Sequence, residues 1–351
     1  MRFAASAWKL VGLAAIAVFT LTCLASPPVH AGEAYFQQPS GTVWSVLLDT
    51  NVTSTSVAAF DGGYVVAGRH LLSDFDPYTS VPPFDVYAVL ARLDTDGNVV
   101  NHTDFYDEDY YNWASEVIPV YGGDATLDGF AFAGSKYRED GVYGVPWMWW
   151  VRTDTSLVKQ HDALLGTVSH HTEGVAIFEE ATGFLLGGRN YFTAGMSSSD
   201  EWLVRTDTSG VMTAEQYFYS GTFSTVHSIA SVPGGGYVLG TSHGIVKIGV
   251  DLEVEWRAGP EPYFAVEPSA DGQYFYGVSG PQLTRLTADG SNDWTRSIGY
   301  GGVDMGSDLI IAPDGGCVVV GRAWSHDEGG GDLWVLKTDA GGVREWDLWL
   351  G

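Results

Sequence analysis

The amino-acid sequence predicts an all-β fold, a six-bladed β-propeller with four antiparallel strands per blade, and three observations support it. A turn followed by an apolar strand ending in glycine occurs six times. Strands rich in Val, Leu, Tyr and Trp are bounded by Gly and Asp turns, as in antiparallel hairpins. No window has a sustained helical period with caps. A four-stranded unit repeated every ~40–50 residues is typical of propeller blades.

The second strand of each repeat, strand b, follows a tight turn that contains glycine. This glycine recurs at Gly63, Gly129, Gly183, Gly236, Gly272 and Gly316. Another apolar strand, strand a, precedes the turn and is predicted at 56–60, 115–121, 173–178, 227–232, 263–268 and 307–312. The unequal spacing of the glycines indicates that the strands are constant while the loops vary in length.

The third strand, strand c, ends in a basic residue and a turn, and the fourth, strand d, often contains a Trp. The basic residue recurs at Arg92, Arg152, Arg205, Lys247, Arg285 and Lys337. It occupies one strand position in every repeat of an acidic chain. We therefore expect a structural ion pair or a bond to a neighbouring strand, and not an anion site.

An additional segment of the strand-d type, TVWSVLLD at 42–49, precedes the first repeat. We predict that it closes the ring by pairing with the last blade. The last repeat already contains its own strand d at 343–350, so a five-stranded closing blade and a seven-bladed propeller with one degenerate blade stay open as alternatives. With either closure, the sequence predicts a single propeller domain over residues 32–351.

Residues 1–31 have the features of a secretory signal peptide, namely a basic start, an apolar run at 10–24 that is short for a membrane span, and small residues before a cleavage site after Ala31. We therefore predict a secreted or periplasmic protein. A lipoprotein anchored at Cys23 is the alternative, but the residues before this cysteine fit a lipobox poorly.

Composition excludes several classes of protein. A formal net charge of −26 argues against nucleic-acid binding, which needs clustered Lys and Arg. Two cysteines cannot form a disulfide-rich scaffold. Cys317 lies in an apolar strand pattern, which predicts a buried, unreactive thiol. No later stretch is apolar and long enough to span a bilayer. We also expect the protein to be a monomer.

The repeats resemble a family of bacterial and archaeal secreted propellers. The similarity is closest where GYGGVDMGSDLIIAPDGGCVVVG, at 299–321, is followed by DLWVLKTDAGGVREW, at 332–346. A looser similarity links the chain to quinoprotein-like propellers, and a weaker one to kelch repeats. The resemblance covers nearly the whole chain after residue 31, although the fourth and fifth repeats are degenerate. It implies the propeller fold and implies no particular activity.

Connectivity predicts two different faces. The a–b and c–d turns lie on one face, the turn face, and are short and uniform. The b–c and d–a connections lie on the other, the loop face, and vary in length. Variable loops on a rigid scaffold commonly bind ligands. The ligand-binding candidates there are Tyr106, Asp107, Asp109, Tyr110, Trp113, Tyr137, Tyr143, Trp324, His326 and Asp327.

Aromatic rings beside carboxylates suit sugars, which stack on the ring and bond through their hydroxyls. The alternative is a solvated acidic rim whose aromatic side chains pack back onto the blades.

Polar residues at the starts of strand a are predicted to surround the mouth of the central channel. Glu116, Glu173, Asp308 and His227 are the candidate catalytic residues if the protein is an enzyme, with His171 nearby. Glu116, Glu173, Asp304 and Asp308 are weak candidates for a Ca²⁺ site. The alternative is a water-filled polar channel.

Two functions fit these features. The first is an exported non-catalytic scaffold that binds a glycan or a protein through the loop face. The second is a polysaccharide hydrolase or lyase that uses the carboxylates at the channel mouth. The sequence contains no GxSxG, HExxH or P-loop motif. We therefore favour the binding scaffold, with no cofactor except a possible Ca²⁺ ion.

Overall fold

The computed structural model describes residues 52–71, 86–107, 110–138, 145–166, 171–191, 198–218, 224–300, 304–324 and 332–350. These residues form six sheets of four antiparallel strands each, which confirms the six-bladed propeller. In every sheet the strands are hydrogen-bonded in chain order, a to d. The predicted closing strand at 42–49 and the predicted signal peptide lie outside the described residues.

The first three blades contain the longer strands. Blade 1 consists of β1 (Val52–Phe60), β2 (Gly63–Leu71), β3 (Val86–Leu93) and β4 (Val99–Asp104). Blade 2 consists of β5 (Tyr110–Tyr121), β6 (Leu127–Arg138), β7 (Val145–Thr153) and β8 (Lys159–Leu165). Blade 3 consists of β9 (His171–Glu180), β10 (Gly183–Tyr191), β11 (Ser199–Asp207) and β12 (Met212–Phe218).

The last three blades are more compact. Blade 4 consists of β13 (Val226–Ser231), β14 (Tyr237–Thr241), β15 (Gly244–Ile248) and β16 (Val254–Ala258). Blade 5 consists of β17 (Ala265–Pro268), β18 (Tyr274–Ser279), β19 (Gln282–Thr287) and β20 (Asn292–Ser297). Blade 6 consists of β21 (Met305–Ile311), β22 (Cys317–Ala323), β23 (Asp332–Thr338) and β24 (Arg344–Leu350).

The hydrophobic core lies between the blades. Five clusters of buried residues join blade 1 to blade 2 and so on up to blade 6. Trp149, Trp150, Trp202 and Trp334 are fully buried in these clusters. The sheets of blades 2 to 5 are apolar on both sides because each packs between two neighbours, which explains the continuous apolar runs of the sequence.

The basic residue at the end of strand c has the structural role that the sequence predicts, and it fills this role in two ways. In blades 1, 3 and 5 the arginine donates to a carbonyl oxygen in the c–d turn of the next blade. The bonds are Arg92 to Thr155, 3.1 Å, Arg205 to Val250, 3.0 Å, and Arg285 to Ala340, 3.0 Å. In blades 2 to 6 the basic residue also pairs with a carboxylate of its own blade. The pairs are Arg152–Asp128, Arg205–Glu180, Lys247–Glu255, Arg285–Asp293 and Lys337–Asp314.

Cys317 is buried on β22, as predicted, and burial raises the pKa of its thiol to about 12. Over the described ranges, no helix is long and apolar enough to cross a membrane.

Candidate functional site

The loop face is uneven because its connections differ in length. In blades 4 and 5, strands b and c are joined by only two residues, 242–243 and 280–281. In blade 1 the same connection spans 72–85, which lies outside the described residues, as do most residues of the long connections in blades 2, 3 and 6. Among the predicted ligand-binding residues, Tyr143, His326 and Asp327 lie in these undescribed segments, and Asp109 lies in the undescribed part of the d–a connection before blade 2.

Six residues of blades 2 and 3 form a group at this face, which we call the central cluster. They are Trp113, Tyr137, His171, Glu173, Arg189 and Tyr191. Strand pairing explains their proximity, because Arg189 lies opposite Glu173, and Tyr191 lies opposite His171, on the paired strands β10 and β9. Trp113 at the start of β5 and Tyr137 at the end of β6 contribute from blade 2.

Glu173 is the centre of the cluster. Its Oε2 atom accepts hydrogen bonds from Nε and Nη2 of Arg189, at 3.0 and 2.5 Å. Its Oε1 atom accepts a bond from the Tyr137 hydroxyl at 3.1 Å, across the interface between blades. The Trp113 and Tyr137 rings lie 5.0 Å apart at an interplanar angle of 31°. An aromatic pair thus lies directly beside a carboxylate–guanidinium pair.

The cluster is locally neutral apart from this ion pair. Burial raises the pKa of both Tyr137 and Tyr191, and the charge of Glu173 adds to the shift, so both phenols stay protonated. Burial lowers the pKa of His171, which is only 6% exposed. The Nδ1 atom of His171 has no hydrogen-bond partner among the described residues. The cluster therefore presents hydroxyl, imidazole and guanidinium groups with little net charge.

His227 lies on β13 of blade 4, next along the ring. Its pKa is lowered to about 4, chiefly by burial and also by the charge of Arg189. Its Nε2 atom is 3.1 Å from Oγ of Ser242, and its ring packs on Phe264 with centroids 5.2 Å apart. His227 is thus uncharged at neutral pH.

The other predicted acids at the channel mouth are engaged in the scaffold. Oε2 of Glu116 accepts a bond from the backbone N–H of Ile177 in the next blade, at 2.7 Å. Asp308 accepts from the backbone N–H of Leu309 at 2.8 Å. Among the described residues, no group of three or more His, Cys, Asp or Glu could hold a metal ion. The Ca²⁺ site stays a prediction.

Asp304 connects two loops of blade 6. It is fully buried, and its two oxygens accept from the backbone N–H groups of Tyr300, at 2.7 Å, and Trp324, at 3.1 Å. Both aromatic residues are exposed, Tyr300 by 56% and Trp324 by 39%. The residues predicted from the sequence include Trp324 but not Tyr300. The only signal for Tyr300 in the sequence is its place within the glycine-rich run 299–302.

The remaining predicted aromatic residues are of two kinds. Tyr110 is covered by the ammonium group of Lys136, 4.5 Å from the ring centroid, and this lysine forms an ion pair with Asp107 at 2.7 Å. Tyr110 and Asp107 therefore pack against the blade. Tyr106 is 55% exposed and contacts Tyr87 edge to face. Tyr106 thus remains accessible to a ligand.

A serine, a histidine and a glutamate also meet on this face without forming a catalytic triad. Oγ of Ser224 is 2.9 Å, and Oε1 of Glu201 is 3.6 Å, from the same atom, Nδ1 of His243. A triad needs the serine and the acid at opposite ring nitrogens. Glu201 instead forms a buried ion pair with Arg257, at 2.7 Å, between blades 3 and 4.

Comparisons with known proteins agree on the fold. No known family and no curated protein matches the chain in sequence. The WD40 domain of Neurospora crassa Pan2 is 9% identical, covers 90% of this chain and 85% of its own, and has a TM-score of 0.51. A puromycin hydrolase mutant complexed with PGG is 10% identical, with a TM-score of 0.55.

The match with the hydrolase covers 89% of this chain, which spans about half, 49%, of the hydrolase. A protein of unknown function from Bacteroides caccae is 10% identical over 74% of this chain and 89% of its own, with a TM-score of 0.48. At these identities the similarity extends to the fold alone. The chain is a six-bladed β-propeller, and this fold is a scaffold suited to binding.

Proposed function

We propose that this protein is an exported glycan-binding propeller that holds a sugar at the central cluster without cleaving it. The observation that carries this proposal is the pair of rings, Trp113 and Tyr137, beside the Glu173–Arg189 pair. Sugar rings stack on aromatic faces, while vicinal hydroxyls bond to carboxylate and guanidinium groups at the edge. The predicted signal peptide supports a role outside the cytoplasm.

Charge supports an uncharged glycan as the ligand. Glu173 and Arg189 neutralise one another, and His171 and His227 both have a lowered pKa. An anionic sugar would meet the field of a chain with a formal net charge of −26.

The proposal of binding without cleavage depends on the hydrogen bonds of the acids. Glu173 accepts from an arginine and a tyrosine, and Glu116 accepts from a backbone N–H. A general acid must give a proton to the leaving group, whereas both oxygens of Glu173 and Oε2 of Glu116 already accept hydrogen bonds from the protein. We therefore assign Glu173 to ligand binding.

A matched pair of variants tests the proposal. Glu173→Gln weakens the bond to Arg189 at the central cluster. Glu180→Gln does the same on the turn face, where Glu180 accepts from Arg205 at 2.7 Å and from the Tyr237 hydroxyl. Affinity gel electrophoresis should show polysaccharide binding by the wild type and Glu180→Gln, and loss of binding by Glu173→Gln. Equal loss in both variants, or release of reducing ends by the wild type, contradicts the proposal.

A further inference from the structure

We propose that Tyr300 and Trp324 form a second sugar-binding site on the loop face, beside the outer strand of blade 6. This inference rests on the proposed glycan binding and adds a separate contact point for the same chain of sugars. The central cluster belongs to blades 2 and 3, whereas both residues of this second site belong to the connections that flank β21 and β22 of blade 6.

Asp304 fixes the two residues relative to each other. Its buried carboxylate bonds to the backbone N–H of both Tyr300 and Trp324. The two bonds tie the end of the d–a connection to the start of the b–c connection. Two exposed residues whose backbones are held by one buried group lose less conformational freedom when a ligand binds.

Arginine side chains cover one face of each ring. The guanidinium carbon of Arg344 lies 4.0 Å from the centroid of Tyr300, and that of Arg322 lies 4.2 Å from the centroid of Trp324. The Tyr300 ring also contacts that of Trp349, with centroids 5.3 Å apart at 50°. The two residues are nevertheless 56% and 39% exposed, so part of each side chain is accessible to a ligand.

The polar groups at the ring edge favour a sugar as the occupant. The Tyr300 hydroxyl donates to Oδ2 of Asp347 at 2.6 Å, and the same oxygen pairs with Arg344 at 2.9 Å. A sugar has an apolar C–H face for the ring and hydroxyls for this edge. A proline-rich peptide, the other common ligand of exposed Tyr and Trp side chains, offers no hydroxyls to these groups.

Two sites on one rigid propeller would bind a long polysaccharide more tightly than a short one. The second contact is intramolecular once the first has formed, so its effect depends on chain length. The inference therefore predicts a length-dependent affinity that a single site does not produce.

The experiment uses the full mature chain and the double variant Tyr300→Ala/Trp324→Ala. Tyr274→Ala is the matched control, because the guanidinium group of Arg285 covers this ring in the same way, 4.5 Å from its centroid, but Tyr274 lies at the start of β18 opposite Thr287, at the turn face. Binding is measured by affinity gel electrophoresis with β-glucan, xyloglucan, galactomannan and amylose. Calorimetry measures the tetrasaccharide of whichever polymer binds, and immobilised oligoproline serves as the peptide probe.

We expect the double variant to lose at least about tenfold in affinity for the polymer and less than about twofold for the tetrasaccharide, while Tyr274→Ala matches the wild type. Unchanged polymer affinity in the double variant, with loss in Glu173→Gln, overturns this inference and leaves the proposed function intact. Loss of polymer affinity in the double variant, together with full binding by Glu173→Gln, supports the second site and contradicts sugar binding at the central cluster. Binding of oligoproline alone, or of no probe, overturns it.

Discussion

Glu173 and Glu180 show how position gives the same residue type different roles. Both lie on β9, and each accepts bonds from one arginine and from a tyrosine of an adjacent blade. Glu180 lies at the turn face, where Arg205 also bonds to the next blade. Glu173 lies at the loop face, beside two rings and an imidazole nitrogen that has no hydrogen-bond partner among the described residues. These surroundings are the reason why Glu173, and not Glu180, is proposed to contact the ligand.

Glu179 should make stability depend on pH. Burial raises its pKa to about 6, while the backbone N–H of Tyr121 donates to it at 3.2 Å. Because this carboxyl has a higher pKa in the folded state, its contribution to folding stability is complete below pH ~4.5 and is lost as the pH rises through 6. Glu179→Gln cannot ionise. Its melting temperature relative to wild type should therefore rise between pH 4.5 and 7, by the equivalent of at most about 2 kcal/mol.

Differential scanning calorimetry at both pH values measures this difference. A constant offset between variant and wild type would show that the pKa of Glu179 is the same in the folded and unfolded states. Asp94→Asn, at an exposed turn carboxylate whose pKa is lowered by its bonds to Asn98, is the control. The stability of Asp94→Asn relative to wild type should fall as the pH rises, over a lower pH range, because the pKa of Asp94 is lowered and not raised.

Cys317 should be unreactive in the folded protein. Its thiol is 1% exposed, and burial raises its pKa to about 12, so almost no thiolate exists at pH 8. We expect no reaction with a disulfide reagent in native buffer and one reacted thiol per mature chain in denaturant. Fast labelling of the native chain would mean that blade 6 opens locally.

At this scale the sequence predicted part of the site. Trp113, Tyr137 and Glu173 were identified because the repeats place strand starts and loops on one face. Arg189 and Tyr191 were missed because they lie near the end of a strand, and only cross-strand register shows that they lie opposite Glu173 and His171. Asp304 was considered a metal ligand, and its bonds to two backbone N–H groups cannot be read from spacing.

One position of the c–d turns has a left-handed backbone conformation, and it is occupied by leucine in some blades and by glycine in others. Leu157 and Leu252 adopt φ values of 63° and 69° and are buried in the interfaces with the preceding blades. At the same position Gly210 and Gly290 support the Trp of the preceding blade, Trp150 and Trp256. A blade interface is thus filled either by leucine from the turn or by Trp from the neighbour.

Gly290→Ala should therefore destabilise the protein more than a glycine substitution without neighbours. A Cβ atom at Gly290 would lie 2.8 Å from the Trp256 ring, in addition to the strain of φ 82°. Gly234 has φ 97° but no atom within 4 Å of a Cβ, so Gly234→Ala isolates the strain. We expect a loss of about 1 kcal/mol for Gly234→Ala and about 2–4 kcal/mol for Gly290→Ala.

Urea unfolding of both variants measures the difference. Similar midpoints would show that the Trp256 ring moves aside without cost.

The strands were predictable because each repeat has the same glycine and aspartate turns, but the bonding partners of their side chains were not. The basic residue of strand c recurs six times, yet it bonds to a carbonyl of the next blade in blades 1, 3 and 5 and pairs with a carboxylate of its own blade in blades 2 to 6. The acidic partners lie on different strands: Asp128 and Asp314 belong to or precede strand b, whereas Glu255 lies on strand d. Such pairing depends on three-dimensional register.

At the scale of the molecule, blade 1 is less well buried than the other blades on the side that faces the preceding position in the ring. Val65 and Ala67 face blade 2, so Val66 faces the preceding position in the ring. Val66 is only partly buried. The strand-b residues that face the preceding blade elsewhere are fully buried: Phe132, Leu186, Leu239, Phe275 and Val319. Among the described residues, no hydrophobic cluster joins blade 6 to blade 1.

This difference motivates a prediction about ring closure. The apolar segment 42–49 is the proposed closing strand, and apolar area removed from water contributes about 25 cal/mol per Å². A chain beginning at residue 52 should melt several degrees below the chain beginning at residue 32, since about 1 kcal/mol corresponds to ~2 °C at this size. A chain beginning at residue 41 retains the segment and should match the longer one. Equal melting of all three chains would show that the blades close without this segment, through contacts between β21–β24 and β1–β4 alone.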